Sequence, residues 1–364
     1  MRRRHGKVHP WVMVVLALIS LAMFYAATRS ARTRRARWFE EKRQAAQLAG
    51  QALATLRDYR ARLQVPVDTV NDPNATGLVG VQYSQLTWGR SDLSDALTTT
   101  NPNFAAALVE LLRRAGVRRG DRVGVSWDGS YPALNVHVLA ALSSLGAEPR
   151  IVTAQSAGMW GANHPGLTWL ELEAVLRERG TWSYRSALAT LGGQDDAGMG
   201  LAPEAREYLA RVADSLGVEL AVPSDLAAAV AQRLEFLGDI RALVSVGLVA
   251  ADLGDPLVRP PSRVITRPGP RVDSTGTLAA LLARRVPVLH LGKPTRVALD
   301  FGLPVAPVPL PETGKGRLFF ERRQSALLAG LLALVLAALL WLVVRYDVEW
   351  YLGDRKGRPE EESV

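Results

Sequence analysis

Apolar and polar positions follow three patterns along this chain. Two runs are apolar without a break: Trp11 to Ala27, "WVMVVLALISLAMFYAA", and Ser325 to Val344, "SALLAGLLALVLAALLWLVV". Neither carries a charge, and the second reaches the roughly 20 residues that a helix needs to cross a bilayer. Both read as transmembrane helices. The first follows the basic "MRRRHGK" and so also fits a secretory signal, but no small-x-small cleavage site is obvious, which favours an uncleaved anchor.

The second pattern has apolar residues at helical spacing among charges. From Arg29 to Leu63 the chain is rich in helix formers and predicts one helix, a stalk continuing the first span over 28–65. A disordered basic linker is the alternative. Pro66 and "NDPNATG" end it.

From Val79 the third pattern sets in, with helical periodicity alternating with short apolar runs. Helices are predicted at "NFAAALVELLRRAG", "YPALNVHVLAALSSLG", "GLTWLELEAVLRERG", "PEAREYLARVADSLG", "SDLAAAVAQRLEFLG" (capped by Ser224), "STGTLAALLARR" and "PTRVALDFG". Strands are predicted at "RVGVSW", "PRIVTA", "VELAV", "RALVSVG" and "VPVLHLG". Strands this apolar, separated by helices, imply a parallel sheet covered on both faces. The expected class is α/β, a Rossmann-like doubly wound sheet over 66–311, with room for two lobes that break near 180–200. A basic tail (1–10) and a polar tail (345–364) complete the chain.

Charge changes the picture by its location. The net charge is +9, yet residues 1–63 carry 14 Lys/Arg against 3 Asp/Glu, and 64–311 carry 22 against 24. The excess lies beside the first apolar run, where anionic headgroups attract it, and the near-neutral domain disfavours nucleic-acid binding. Both tails fall on one side of the plasma membrane and the domain on the other. Eleven Lys/Arg near the spans on the domain side, against eight in the tails, lean weakly toward a cytoplasmic domain. The absence of cysteine excludes disulfides and thiol chemistry. No histidine-based metal site is expected, since His5, His9, His137, His164 and His290 show no ligand spacing. No cofactor is expected either: neither G-x-G-x-x-G nor G-x-x-x-x-G-K-[ST] occurs.

In parallel sheets ligands bind beyond the carboxyl ends of strands, which directs attention to the loops there. "WDGSYP" offers Asp128, Gly129 and Ser130 at a strand-to-helix turn suited to a carboxylate or oxyanion. Ser130 reads either as a cap or as a nucleophile with His164 or His290 as base and Asp195 or Asp196 to orient it. "SAGMWGANHPG" brings Ser156, Gly158, Trp160, Gly161, Asn163 and His164 into one loop, which is expected to bind a ligand or partner. "LGGQDDAGMG" is either a divalent-cation site or an ordinary Asp/Gly turn.

The segments "TTTNPNFAAALVELLRRAGVRRGDRVGV", "DGSYPALNVHVLAALSSLGAEP", "SAGMWGANHPGLTWLELE", "LGGQDDAGMGL" and "RRVPVLHLGKPTRVALDFGLPVAP" together resemble the poly-gamma-glutamate system protein family, over roughly residues 78–310. The family's Gly-rich run after the late strand reads "SVGLVAADLGD" here. The resemblance implies a membrane component of poly-γ-glutamate synthesis and export, a capsule-type bacterial system. Its implied partners are the other membrane proteins of that system and, through the crevice, the polymer itself. Three functions remain open: an accessory subunit, a serine-type hydrolase or transferase acting on γ-linked glutamate, and a ligand sensor.

Overall fold

The computed structural model describes residues 10–255 and 257–345. They form two units, one made of the chain up to Arg35 together with the chain from Phe320 onward, the other running Ala36–Phe319.

The first unit contains helix α1 (Pro10–Arg29) and strand β1 (Arg32–Arg35). The single helix expected over 29–63 is therefore interrupted. The run "RTRR" pairs antiparallel with a strand near the chain's far end, Phe320–Arg323, and the helix resumes only as α2 (Phe39–Arg62). This helix is no stalk: it buries Ala45, Ala49, Ala52 and Leu56 against α4 and α5 as part of the α/β unit, which begins at Ala36 and not near 66. A tertiary pairing across the length of the chain overrides local helix propensity here. The last helix of the unit, Ala326–Arg345, packs alongside α1. Both helices are 20 residues long and apolar enough to cross a membrane by length and composition.

In the second unit α2 is followed by β2 (Thr87–Gly89), α3 (Leu93–Thr99) and α4 (Phe104–Arg114). Then come β3 (Arg122–Trp127), α5 (Pro132–Leu145), β4 (Glu148–Ala154), β5 (Ala157–Gly158) and α6 (Trp169–Glu178). Next are β6 (Ser186–Thr190), α7 (Pro203–Ser215), β7 (Glu219–Leu220), α8 (Leu226–Leu237), β8 (Ala242–Val246) and α9 (Ala250–Leu253). The unit closes with β9 (Val264–Ile265), α10 (Thr277–Ala283), β10 (Val288–Leu291) and α11 (Pro294–Asp300). Phe320–Arg323 is β11 and Ala326–Arg345 is α12.

The mixed α/β sheet has seven strands in the order β7-β6-β4-β3-β8-β10-β9, all parallel except β9. Strand β6 was not expected, because "SALAT" is short and half polar. It sits inside the sheet, so 180–200 continues the sheet, and the loop 191–200 follows a strand. Helix α8 is capped by Asp225, whose carboxylate accepts the Ala228 N–H, and not by Ser224.

Helix α5 is apolar nearly all round and is correspondingly buried, wedged between α2, α4 and the Val123/Val125/Trp127 face of β3. The opposite face of the sheet carries Val152, Leu188 and Leu243 against α8 and α10. Helices thus cover both faces, and only the strand ends are left for a site.

Candidate functional site

The strand order reverses between β3 and β8, where neighbouring loops diverge and a crevice opens at the carboxyl ends. Asp128, the first residue after β3, fills that point. Its Oδ1 accepts the Ser130 N–H at 2.8 Å, and its Oδ2 accepts the Ser130 hydroxyl at 2.9 Å and the Leu248 N–H at 3.0 Å. The carboxylate lies so close to the β8 loop that a Cβ on Gly247 would stand 2.0 Å from Oδ1, and Gly247 has φ +86°. Only glycine fits both constraints. Burial pushes the Asp128 carboxyl up to about 6 despite these donors.

Below Asp128 runs a buried polar network. Ser126 and Ser245, paired across β3 and β8, donate to Asp252 Oδ1 and Oδ2 at 2.9 and 2.8 Å. Arg233 of α8 donates to Ser126 Oγ at 2.7 Å and to Asp196 Oδ2 through Nε and Nη2, at 3.0 and 2.5 Å. Thr190, at the end of β6, donates to Asp196 Oδ1. Burial raises the Asp252 carboxyl, with Arg233 opposing it; for Arg233, burial works downward but Asp196 and Asp252 outweigh it and hold the guanidinium above its ordinary value.

A second buried chain links Trp127, Thr153, Ser186 and Glu173. Trp127 Nε1 donates to Thr153 Oγ1 at 2.7 Å, which lies 2.6 Å from Ser186 Oγ. Ser186 in turn donates its N–H and its hydroxyl to Glu173. Burial raises Glu173 to about 7.

The candidates from the sequence are brought together, but mostly with one another. The Ser130 hydroxyl donates to Asp128 and accepts the Gly158 N–H at 2.9 Å. Gly129 N–H donates to the Ser156 carbonyl, and Ala162 N–H to the Gly129 carbonyl. Ser156 Oγ accepts the Gly193 N–H. The Asn163 amide spans the Val81 backbone and Thr87, and Trp160, in the left-handed region at φ 64°, exchanges backbone bonds with Gly80 and Val81. A Cβ on Gly161 would lie 2.4 Å from the Gly129 carbonyl oxygen, so the loops interlock through glycine backbone.

Among the described residues no hydrogen bond joins Ser130 to a histidine or a histidine to an aspartate. His164 Nδ1 faces the carbonyl of Pro165, and His290 is buried in β10 with Nδ1 unpartnered. Asp195 accepts the N–H groups of Ala197 and Met199, while Asp196 turns inward to Arg233, so the adjacent carboxylates point apart. Among the described residues no group of three or more His, Cys, Asp or Glu is placed to hold a metal ion.

An open cavity of about 560 Å³ lies at the carboxyl ends, lined by Trp88, Arg90, Gln194, Met199, Leu248 and Arg259 among others. Its residues come from β2, from the loops after β6 and β8, and from the long connection before β9. Arg90 and Arg259 are exposed. Among the described residues neither side chain has a hydrogen bond or a carboxylate partner. The sequence marks the loops after β6 and β8 by their carboxylates and glycines, and the long connection 257–271 as one that covers a site or contacts a partner, but it does not single out the arginines. The available signal was the arginine of "TWGRSD" and the first arginine of "LVRPPSRVITRPGPR". The cavity offers two cations, an amide and an aromatic edge, a set suited to carboxylate oxygens on a partly apolar ligand.

No family model matches this sequence and no curated protein matches it. Among solved structures, an archaeal alanine:glyoxylate aminotransferase shares 13% identity, with 97% of this chain and 64% of that chain covered and a TM-score of 0.14. A Thermus thermophilus aspartate aminotransferase gives 13% identity, 93% and 77% coverage, and a TM-score of 0.14. The chain thus spans about two thirds of the first neighbour, and superpositions this poor bear on neither fold nor function.

Proposed function

We propose that this protein is a membrane-anchored accessory subunit of a poly-γ-glutamate synthesis and export complex, with a Rossmann-like doubly wound α/β domain between two membrane spans. In this reading α1 and α12 are the spans, and the cavity at the strand ends holds a carboxylate-bearing segment of the polymer or of a partner. The observation that carries it is the pair Arg90 and Arg259, two cations without internal carboxylates at the mouth of that cavity. The near-neutral charge of 64–311 restricts such binding to a local site. The serine-hydrolase reading loses support because the Ser130 hydroxyl is engaged by Asp128 and Gly158, and among the described residues no histidine is bonded to it.

The test is deletion of the gene in a polymer-producing host, followed by return of wild-type, Ser130→Ala and Arg90→Ala/Arg259→Ala copies. Loss of polymer, restored by the wild-type and Ser130→Ala copies and not by the double arginine variant, supports the reading. Unchanged polymer after deletion overturns it. Restoration that fails only for Ser130→Ala, at normal protein level, would move the assignment to an enzyme.

A further inference from the structure

The two basic segments that flank the apolar helices, far apart in sequence, form one surface. Strand β1 follows α1 after two residues, and β11 precedes α12 by two. They pair with Arg32 opposite Arg323, Thr33 opposite Arg322, Arg34 opposite Glu321 and Arg35 opposite Phe320. Strand side chains alternate between faces. Arg32 and Arg34 therefore leave one face, and Arg35, Arg322 and the exposed Phe320 leave the other.

Such a ribbon is poorly explained by its own contacts. Two isolated strands of four residues are marginal in water, and like charges directly opposite each other are unfavourable. Glu321 is the only acid in either strand. Arg32, Arg34 and Arg322 are exposed, and among the described residues their side chains have neither a hydrogen bond nor an ion pair. Arg29 extends the charge on the helix side, its guanidinium stacked on the Tyr25 ring at 5.2 Å.

We propose that the β1–β11 ribbon is a docking surface for the anionic phospholipid headgroups of one membrane leaflet. It rests on the reading of α1 and α12 as membrane spans. Placed two residues from both helix ends, the ribbon lies where those helices meet the headgroup layer. Phosphate oxygens there neutralise the exposed Arg32, Arg34 and Arg322, and Phe320 supplies an apolar ring for the headgroup–acyl boundary. The occupant follows from charge complementarity and from direct continuity with the apolar helices.

The chain has no cysteine, so Thr33→Cys carries a single polarity-sensitive fluorophore on the ribbon. The full chain is reconstituted into phosphatidylcholine vesicles with and without phosphatidylglycerol. The expected result is a blue-shifted emission only with phosphatidylglycerol, diminished by salt and lost when Arg32→Gln, Arg34→Gln and Arg322→Gln are added. Equal emission in both vesicle types overturns the proposal, as does a shift of the same size from inorganic phosphate on the detergent-solubilised protein. Alkaline carbonate extraction of the same vesicles keeps the two readings apart. Release of the protein sinks the spanning assignment and the ribbon with it, whereas retention with unchanged emission sinks the ribbon alone.

Discussion

Arg233 Nη2 lies 2.5 Å from Asp196 Oδ2, with each side chain 1% exposed. The pair closes a network that also contains Asp252, so one guanidinium faces two buried carboxyl groups at the carboxyl end of the sheet, bonded to Asp196 and linked to Asp252 through Ser126. Burying charges is costly unless they are matched, and removing one partner leaves the other uncompensated.

Arg233→Met should therefore lower unfolding stability by about 3–5 kcal/mol. Asp196→Asn should cost less, because Asp252 still faces the cation. Chemical denaturation of the full chain in mild detergent checks the order, and a more harmful Asp196→Asn would refute this account of the network.

Glu173 sets a pH dependence of definite sign. Its carboxyl moves from 4.5 to about 7 on folding, so the folded state prefers the proton. Ionisation then costs stability progressively as pH rises from about 4.5 through 7, on the order of 3 kcal/mol in all. Asp128 acts in the same direction between 3.8 and about 6. His137 and His290, lowered from 6.5 to about 4 by burial, oppose both: their contribution is complete above 6.5 and is lost as pH falls through 4. Glu173→Gln keeps a carbonyl for the Ser186 N–H and removes the larger of the two carboxyl contributions, leaving that of Asp128. The denaturation midpoint of Glu173→Gln should rise with pH between about 5 and 7 more steeply than that of wild type. Parallel profiles would exclude Glu173 as the titrating group.

Gly247→Ala should destabilise by at least about 2 kcal/mol, through left-handed strain together with displacement of Asp128. Thermal unfolding measures it; an unchanged midpoint would mean that the β3 and β8 loops do not depend on this close approach.

Ser130→Ala leaves the Gly158 N–H and one Asp128 oxygen each short of a partner. A loss of about 1–3 kcal/mol is expected, with polymer output unchanged at matched protein level. Output that falls while stability holds would reverse the roles assigned to this hydroxyl.

How far the sequence alone reached can be judged element by element. Strands β3, β4, β8 and β10 were legible because buried parallel strands are apolar throughout, and α5 because Pro132 and Gly146 bracket it. The break at β1 was not, since its cause is a partner strand at Phe320–Arg323. Asp128, Ser130 and the 156–164 loop were read as a ligand site, and in the fold their glycines and polar groups bond chiefly to one another. Arg233 lay unnoticed in an ordinary helix, because only its pairing with a loop 37 residues away makes it unusual. The cavity arginines were missed for a similar reason: arginine in a polar loop carries no local signal until the fold leaves it without a partner.

The Ala36 N–H donates to the Phe319 carbonyl at 2.9 Å, so the α/β unit begins and ends at the same place. Tension applied to the two ends of this unit would load this junction first. The strands of the sheet would carry none of that force until the junction had opened.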